Sequence, residues 1–316
     1  MAVAILTSYT VARLESRSFL SRGISGVDIH KADRPVRAEM GGLAVLLSLA
    51  FASLFYLGFD FAIDDPPVIF AAVASTVALT GVVGVADDVA DLSQKYKPLL
   101  IVAASSPLMY VLAGRTTIAI PVLGNVHLGL LYPLVAVPLA VTSSANFSNL
   151  LAGFNGLEAG SAVISLGTMT FISDVTGNST VAAFGMIMTA AYLGFLVLNW
   201  YPAKIFPGDS GTLMAGAALA VMGLAAGLEF EAIILSIPAA MDFSLKMINR
   251  KPFKQRHLLG NTHIRPDGTL EPAPYPAMVH AFMKVSPIEE KGLVLSVLAM
   301  EAMFAVVAIA VALIFI

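Results

Sequence analysis

Long apolar stretches separated by short polar links run the length of the chain. After an opening segment they cover about 41–60, 67–86, 98–114, 129–147, 157–173, 181–200, 211–228, 231–248 and 291–315. A helix rises about 1.5 Å per residue, so roughly 20 apolar residues cross the hydrocarbon of a bilayer. Nearly every stretch has that length. The links "DFAIDDPP", "SDVTGNST" and "GLEFEA" hold the acids, Gly and Pro that break helices. The opening "MAVAILTSYTVA" is shorter, which predicts either a short tilted helix or a truncated start. The pattern predicts an all-α polytopic membrane protein, one domain over residues 1–316, with about ten transmembrane helices. "RTTIAIPVLGNVHLG" breaks the rule by alternating β-branched and small residues around Gly-Asn, which predicts a small outer-face β-hairpin.

Composition and charge agree with this reading. Of the 316 residues 58% are hydrophobic and 12% charged, against about 25% charged in soluble domains. The absence of cysteine excludes disulfides and thiolate metal sites. No charged region precedes the first apolar run, so no cleavable signal peptide is expected. With alternating loops, Arg115 alone of the 18 Lys and Arg residues falls on one side of the membrane. The crowded side is then cytoplasmic, and both termini face outward.

The unusual polar residues collect in the loops of that crowded side. "HKADRPVRAEMGG" brings Glu39, a candidate acceptor for a sugar hydroxyl, and a Gly pair; it also suits a basic loop lying on anionic lipid. "VGVADDVADLSQKYKP" ends an apolar run with Asp87, Asp88 and Asp91, then Lys95 and Lys97. Asp87 and Asp91 share a face if the helix continues through them; the alternative is a solvated helix end. "SSANFSNLLAGFNGLEAGSAV" carries Asn146, Asn149 and Asn155 in a Gly-rich break, either interhelical glue or a broken helix end open to an anion. In "IFPGDSGTLMAG", Asp209 is either a helix N-cap or, with the Asn155 oxygen, a pair suited to a hard cation such as Mg²⁺. The last loop, "NRKPFKQRHLLGNTHIRPDGTLEPAPYP", brings Arg256, His257, His263 and Arg265, a simple basic loop or a phosphate clasp. One metal-assisted phosphate site on a single membrane face explains all five stretches together.

In order and spacing, "ADDVADLSQKYKP", "NFSNLLAGFNGLEAG" and "FPGDSG" resemble the polyprenyl-phosphate N-acetylhexosamine-1-phosphate transferases, and closest to "NLLAGFNGLEAG" are the archaeal and eukaryotic dolichyl-phosphate enzymes. The resemblance implies transfer of GlcNAc-1-phosphate from UDP-GlcNAc to polyprenyl or dolichyl phosphate, with release of UMP. It implies Mg²⁺, with Mn²⁺ able to substitute, on Asp209 and Asn155. Lys97, with Lys95 as a weaker choice, would neutralise phosphate. Asp87 would meet the lipid phosphate as base or positioner, and Asp88 and Asp91 would organise the metal's surroundings. Glu39 would hold ribose and Phe206 would stack on uracil. Asn146 and Asn149 would face the substrates, and Arg256, His257, His263 and Arg265 would clasp diphosphate and sugar. The alternatives are another UDP-N-acetylhexosamine or phospho-MurNAc-pentapeptide as donor, and more remotely a cation-coupled transporter. The last loop lacks the multi-histidine motif of the muramyl-pentapeptide enzymes, which argues against their substrate. Membrane lipid and a homodimer are further expected partners, the plasma membrane is the expected location, and no nucleic acid is expected.

Overall fold

The computed structural model describes residues 1–59, 67–93, 95–120, 124–151, 153–248 and 262–315. In chain order the elements are α1 (Ala2–Ser21), β1 (Ser25–Val27), β2 (Val36–Ala38), α2 (Gly42–Gly58), α3 (Pro67–Ala90), α4 (Tyr96–Ala104), α5 (Ser106–Val111), β3 (Thr117–Ile120) and β4 (Gly124–His127). A π-helical turn (Tyr132–Ala136) then opens α6 (Val137–Leu150). It is followed by α7 (Leu157–Val175), α8 (Ser179–Asn199), α9 (Gly208–Ala226), α10 (Glu229–Ile248), β5 (His263–Ile264), β6 (Leu270–Glu271), α11 (Met278–Val285) and α12 (Glu290–Phe315).

Helix α9 is the axis of the bundle, touched by α2, α3, α6, α7, α8 and α10. Its sequence, GDSGTLMAGAALAVMGLAA, is rich in small residues, which let neighbouring backbones approach where lipid offers no hydrophobic drive between helices. A Cβ on Gly42 of α2 would lie 2.0 Å from the Gly211 nitrogen, and one on Gly84 of α3 would lie 2.4 Å from the Ser210 Cα. On α9 itself, a Gly216 Cβ would meet the Ser144 carbonyl oxygen of α6 at 2.0 Å. The Ser144 hydroxyl in turn donates to the Gly216 carbonyl at 2.8 Å. These contacts fix where the ends of α3 and α6 meet the start of α9.

Every expected span falls on helix, but the details differ. The 98–114 span is broken at Ser105 into α4 and α5, because Pro107 in the first turn of α5 offers no N–H to the preceding turn. The 129–147 span opens as a π-turn, with Pro133 and Pro138 perturbing the hydrogen-bond ladder. Helix α1 is 20 residues long, running past the apolar opening to Ser21. The all-α expectation needs a further amendment: three two-stranded antiparallel hairpins, β1–β2, β3–β4 and β5–β6, punctuate the bundle. The expected 115–129 hairpin is β3–β4, with Thr117 paired to His127. Among the described residues, four helices are both long and apolar enough to cross a membrane: α3, α8, α9 and α12.

Charge is divided between the two ends of α9, which its 19 residues set about 28 Å apart. Lys97 lies at the N-terminal end against Asp209, and Lys246 caps the last turn of α6 through the Leu150 carbonyl. Arg115 lies at the opposite end, donating to the Leu224 carbonyl at 2.7 Å and pairing with Glu229 at 3.0 Å. Replacing Gly216 by Val forces α6 off α9 and should cost about 1–3 kcal/mol or more, seen as a lower Tm in detergent. Gly114→Ala, where a Cβ meets nothing within 4 Å, should leave the Tm unchanged.

Candidate active site

The site forms where the C-terminal turn of α3 crosses the N-terminal turn of α9. Because Gly84 lets α3 sit on Ser210, the next turn of α3 brings Asp88 onto the open N–H groups of α9 and Asp87 beside Lys97. Asp88 accepts from Asp209 N at 2.6 Å, from Ser210 N at 3.1 Å and from Ser210 Oγ at 2.7 Å. Helix α9 is thus capped by a carboxylate from a neighbouring helix, which also complements its dipole. Gly208 (φ 67°) makes room, since a Cβ there would lie 2.8 Å from Asp88 Oδ2. Of the two roles open to Asp209, capping is therefore filled by Asp88, and the Asp209 carboxylate is directed elsewhere.

It is directed at Lys97. The Lys97 ammonium, in the first turn of α4, lies 2.6 Å from Asp87 Oδ2 and 2.5 Å from Asp209 Oδ2. The Lys97 side chain is 3% exposed and that of Asp87 1%, whereas Asp209 is 27% exposed. The cluster therefore has a closed side and an open side. One ammonium faces Asp87 and Asp209, with Asp88 close by, so the site keeps an excess of negative charge that a further cation would offset.

A backbone clip completes the wall. Phe206 N donates to the Ala38 carbonyl at 2.9 Å, Gly41 N to the Phe206 carbonyl at 2.9 Å, and Gly42 N to the Pro207 carbonyl at 2.7 Å. The clip carries Glu39 and Phe206 to one place, where a Cβ on Gly26 would meet Glu39 Oε2 at 3.2 Å and the Phe206 ring at 3.4 Å. Burial raises the Glu39 carboxyl above the ordinary range, and the negative charges of Asp88 and Asp209 raise it further. Asn149, near the end of α6, faces the Asp209 carboxylate. The half-open Asp209 carboxylate is a hard-oxygen donor that fits Mg²⁺, which commonly takes one or two carboxylates and leaves its other positions to water and phosphate. Among the described residues no group of three or more His, Asp or Glu forms a closed metal cage.

The remaining expected residues are distributed differently. Asp91 follows the end of α3, with φ 46° and its N–H on the Asp87 carbonyl at 2.8 Å. It therefore does not share a helical face with Asp87; the helix stops at Ala90. Lys95 is exposed at the start of α4. The Asn146 amide donates into its own helix, to the Thr142 carbonyl at 2.7 Å. The amide beside Asp209 is that of Asn149, still on α6. Asn155, beyond the glycine turn, accepts from Ala203 N at 2.6 Å and donates to Asp28 Oδ2 at 3.2 Å. His263 and Arg265 belong to the β5–β6 hairpin, whose β6 packs on α11. Arg256 and His257 lie outside the described residues. Ser210 is a site residue that sequence reasoning passed over, although a Ser directly after Asp209 was the signal for it.

Comparison with known proteins bears directly on this geometry. The sequence profile described as glycosyl transferase family 4 matches residues 70–227. The chain belongs to that family. The match runs from α3 to the end of α9, so the family segment contains Asp87, Asp88, Lys97, Asn149, Asn155 and Asp209, whereas Glu39 and the β5–β6 hairpin lie outside it. A protein of Saccharolobus solfataricus provisionally named UDP-N-acetylglucosamine–dolichyl-phosphate N-acetylglucosaminephosphotransferase is 32% identical, over 90% of this chain and 87% of its own. The Dictyostelium discoideum enzyme of that name is 26% identical, over 74% and 66% of the two chains. The phospho-N-acetylmuramoyl-pentapeptide-transferase of Halalkalibacterium halodurans is 35% identical over 69% of each.

The raised Glu39 carboxyl has a measurable consequence. A carboxyl that holds its proton more tightly when folded contributes stability at low pH, and that contribution is lost as pH rises from the ordinary carboxylate pKa through the raised one. Glu39→Gln should remove this component, so the Tm of the variant should fall less than that of the wild type between pH 4 and 7. Thermal unfolding in detergent across that range, about three pH units, measures it; parallel curves would show that Glu39 contributes nothing.

Proposed function

We propose that the protein transfers N-acetylglucosamine 1-phosphate from UDP-N-acetylglucosamine to a polyprenyl or dolichyl phosphate, releasing UMP and forming a lipid-diphosphate sugar. The observation that carries the reading is the Lys97 ammonium bridging Asp87 and Asp209 beside the Asn149 amide, inside the segment that defines the family. The names of the archaeal and amoebal relatives support the substrate pair.

In this reaction an oxygen of the lipid phosphate attacks the sugar-bearing phosphorus of the nucleotide sugar. The bond from that phosphorus to the bridging oxygen breaks, and the bridging oxygen leaves on UMP. Two anions must meet, so charge neutralisation is the main task. Lys97 does this at the acceptor side, its ammonium passing from the carboxylates to phosphate oxygens. Asp87, held by Lys97, orients the acceptor. It has little proton to remove, because a phosphomonoester with a second pKa near 6 is largely dianionic at neutral pH. Asp209 would hold Mg²⁺, which when bound supplies Lewis-acid stabilisation of the diphosphate oxygens. Asp88 fixes Asp209 by capping α9. Phe206 and Glu39 form the wall for the uridine.

The acceptor's chain has a place along the bundle. An apolar cavity of about 250 Å³, lined by residues such as Tyr132, Ala140, Phe147, Leu224, Ile233 and Ile237, runs between α6, α9 and α10. It reaches from Tyr132, Leu224 and Glu229 as far as Phe147, two residues before Asn149. With about ten helices crossing the bilayer, the end of the bundle with Lys31, Lys97 and Lys246 faces the cytoplasm of a plasma-membrane enzyme, by the positive-inside rule. The β3–β4 hairpin is then on the outer face.

Purified protein with Mg²⁺ and polyprenyl phosphate should release UMP from UDP-N-acetylglucosamine faster than from other UDP-N-acetylhexosamines or from UDP-MurNAc-pentapeptide. No release from any donor would overturn the proposal, and release from the muramyl donor alone would reassign the substrate. Asp209→Asn should lower kcat at least about 100-fold, and should also lower the Tm, because the buried Lys97 loses one of its two carboxylate partners.

A further inference from the structure

A small polar recess lies inside the bundle, deeper than the candidate active site. It is a cavity of about 30 Å³ where α6, α7, α9, α10 and α12 converge. Gly216 of α9 lines it, seven residues and so about 10 Å along that helix from Asp209. The lining also holds Glu301 with Ser144, Ser148, Ser161, Ser165 and Ser236. Glu301 lies eleven residues after Glu290 on α12, about 16 Å along the helix, and is 4% exposed.

Glu301 has hydrogen-bond partners but no counter-charge. The Ser161 hydroxyl donates to its Oε1 at 2.8 Å and the Ser165 hydroxyl to its Oε2 at 3.3 Å. A carboxylate offers about four acceptor positions, so these bonds leave others open. Among the described residues no Lys, Arg or His pairs with Glu301, and none lines the recess. An ionised carboxylate buried at that depth is strongly disfavoured unless a positive charge joins it.

The serines decide what kind of positive group fits. Ser161 and Ser165 spend their hydrogens on Glu301. Ser144 spends its hydrogen on the Gly216 carbonyl and Ser236 on the Ala232 carbonyl, each at 2.8 Å. With those hydrogens committed, the four hydroxyls have only oxygen lone pairs left to offer. All-oxygen surroundings of this kind suit a hard cation, and a single carboxylate balances a single positive charge. The volume limits the size: about 30 Å³ holds roughly two water-sized particles.

We propose that Glu301, Ser161 and Ser165 form a binding site for a small monovalent metal cation, sodium, which shares the recess with one water. The ion neutralises Glu301 and ties α12 to α7 at the centre of the bundle. This site is separate from the Lys97 cluster and does not rest on the transferase reading. A proton on Glu301 would neutralise the carboxylate equally and leave sodium nothing to bind, so the two occupants give opposite results.

Purified protein in detergent is equilibrated with ²²Na⁺ in choline chloride at constant ionic strength, with Mg²⁺ present to compete for the Asp209 carboxylate. The wild type should bind a single Na⁺ saturably, and its Tm should rise when NaCl replaces choline chloride. Glu301→Gln keeps an oxygen for a serine hydroxyl but removes the charge; it should bind no ²²Na⁺ and show one Tm in both salts. S161A/S165A keeps the charge and loses two oxygens, and should bind about 10-fold more weakly or worse. A wild type without saturable binding would overturn the inference in favour of a protonated Glu301. Undiminished binding by Glu301→Gln would also overturn it, by placing the ion elsewhere. Should that variant not fold, S161A/S165A decides, and wild-type affinity there would overturn the site.

Discussion

Everything in this site is arranged around one ammonium group. Lys97 is almost completely buried at a membrane-protein helix end, where an unpaired charge costs several kcal/mol. It is stable there because Asp87 and Asp209 arrive from α3 and α9 to meet it. The same three groups join α3, α4 and α9, so the ion pairs that hold the helix ends together are also the charges the chemistry uses. In the proposed reaction a phosphate oxygen entering the site would compete with Asp87 and Asp209 for the lysine. In this account substrate binding exchanges counter-ions within a rigid frame.

The frame is close-packed because α9 is rich in Gly, Ala and Ser where its neighbours cross it. Backbone-to-backbone approach at Gly42, Gly84 and Gly216 leaves the neighbouring helices no freedom to slide. Asp88 then reaches the N–H groups of α9, and its capping bonds turn the Asp209 side chain toward Lys97. A second, independent network reaches the same place from behind. His30, buried and stacked on Phe154 at 4.1 Å, bonds Thr262, and burial pushes its imidazole down to about 4, so it stays neutral at physiological pH. Thus the first loop, the glycine turn and the last loop are packed as one unit by uncharged as well as charged contacts.

Much of this was legible in the chain itself, for reasons that can be named. Asp87, Asp88, Lys97 and Asp209 stood out because carboxylates and lysines are costly at the ends of apolar helices. The helix positions followed from bilayer-length apolar runs, except where Pro107 and Pro138 changed the ladder. The choice between Asn149 and Asn155 was not legible. Both are amides in one polar stretch, and only the structure shows that α6 runs through Leu150 and sets the first beside Asp209, while the second, past the glycine turn, bonds Ala203 and Asp28. Asp91 lies past the end of α3 at Ala90, since helix periodicity says nothing about where a helix stops. The Asn155 contacts were invisible for a different reason: residues 28, 155 and 203 meet only in three dimensions. The short hairpin β1–β2, which carries Glu39 toward Phe206, has too few residues to show a period.

The central claim is that the bond broken lies between the two phosphorus atoms of the donor, not between sugar and phosphate. Charge neutralisation at a diphosphate suits the former; a site for sugar transfer would instead need to stabilise positive charge at the anomeric carbon. Donor labelled with ³²P only at the sugar-bearing phosphate separates the two. Incubated with the purified protein, Mg²⁺ and polyprenyl phosphate, it should send the label into the organic phase on the lipid and leave unlabelled UMP in water. Label remaining in the aqueous phase as UDP, with the sugar alone on the lipid, would contradict the account.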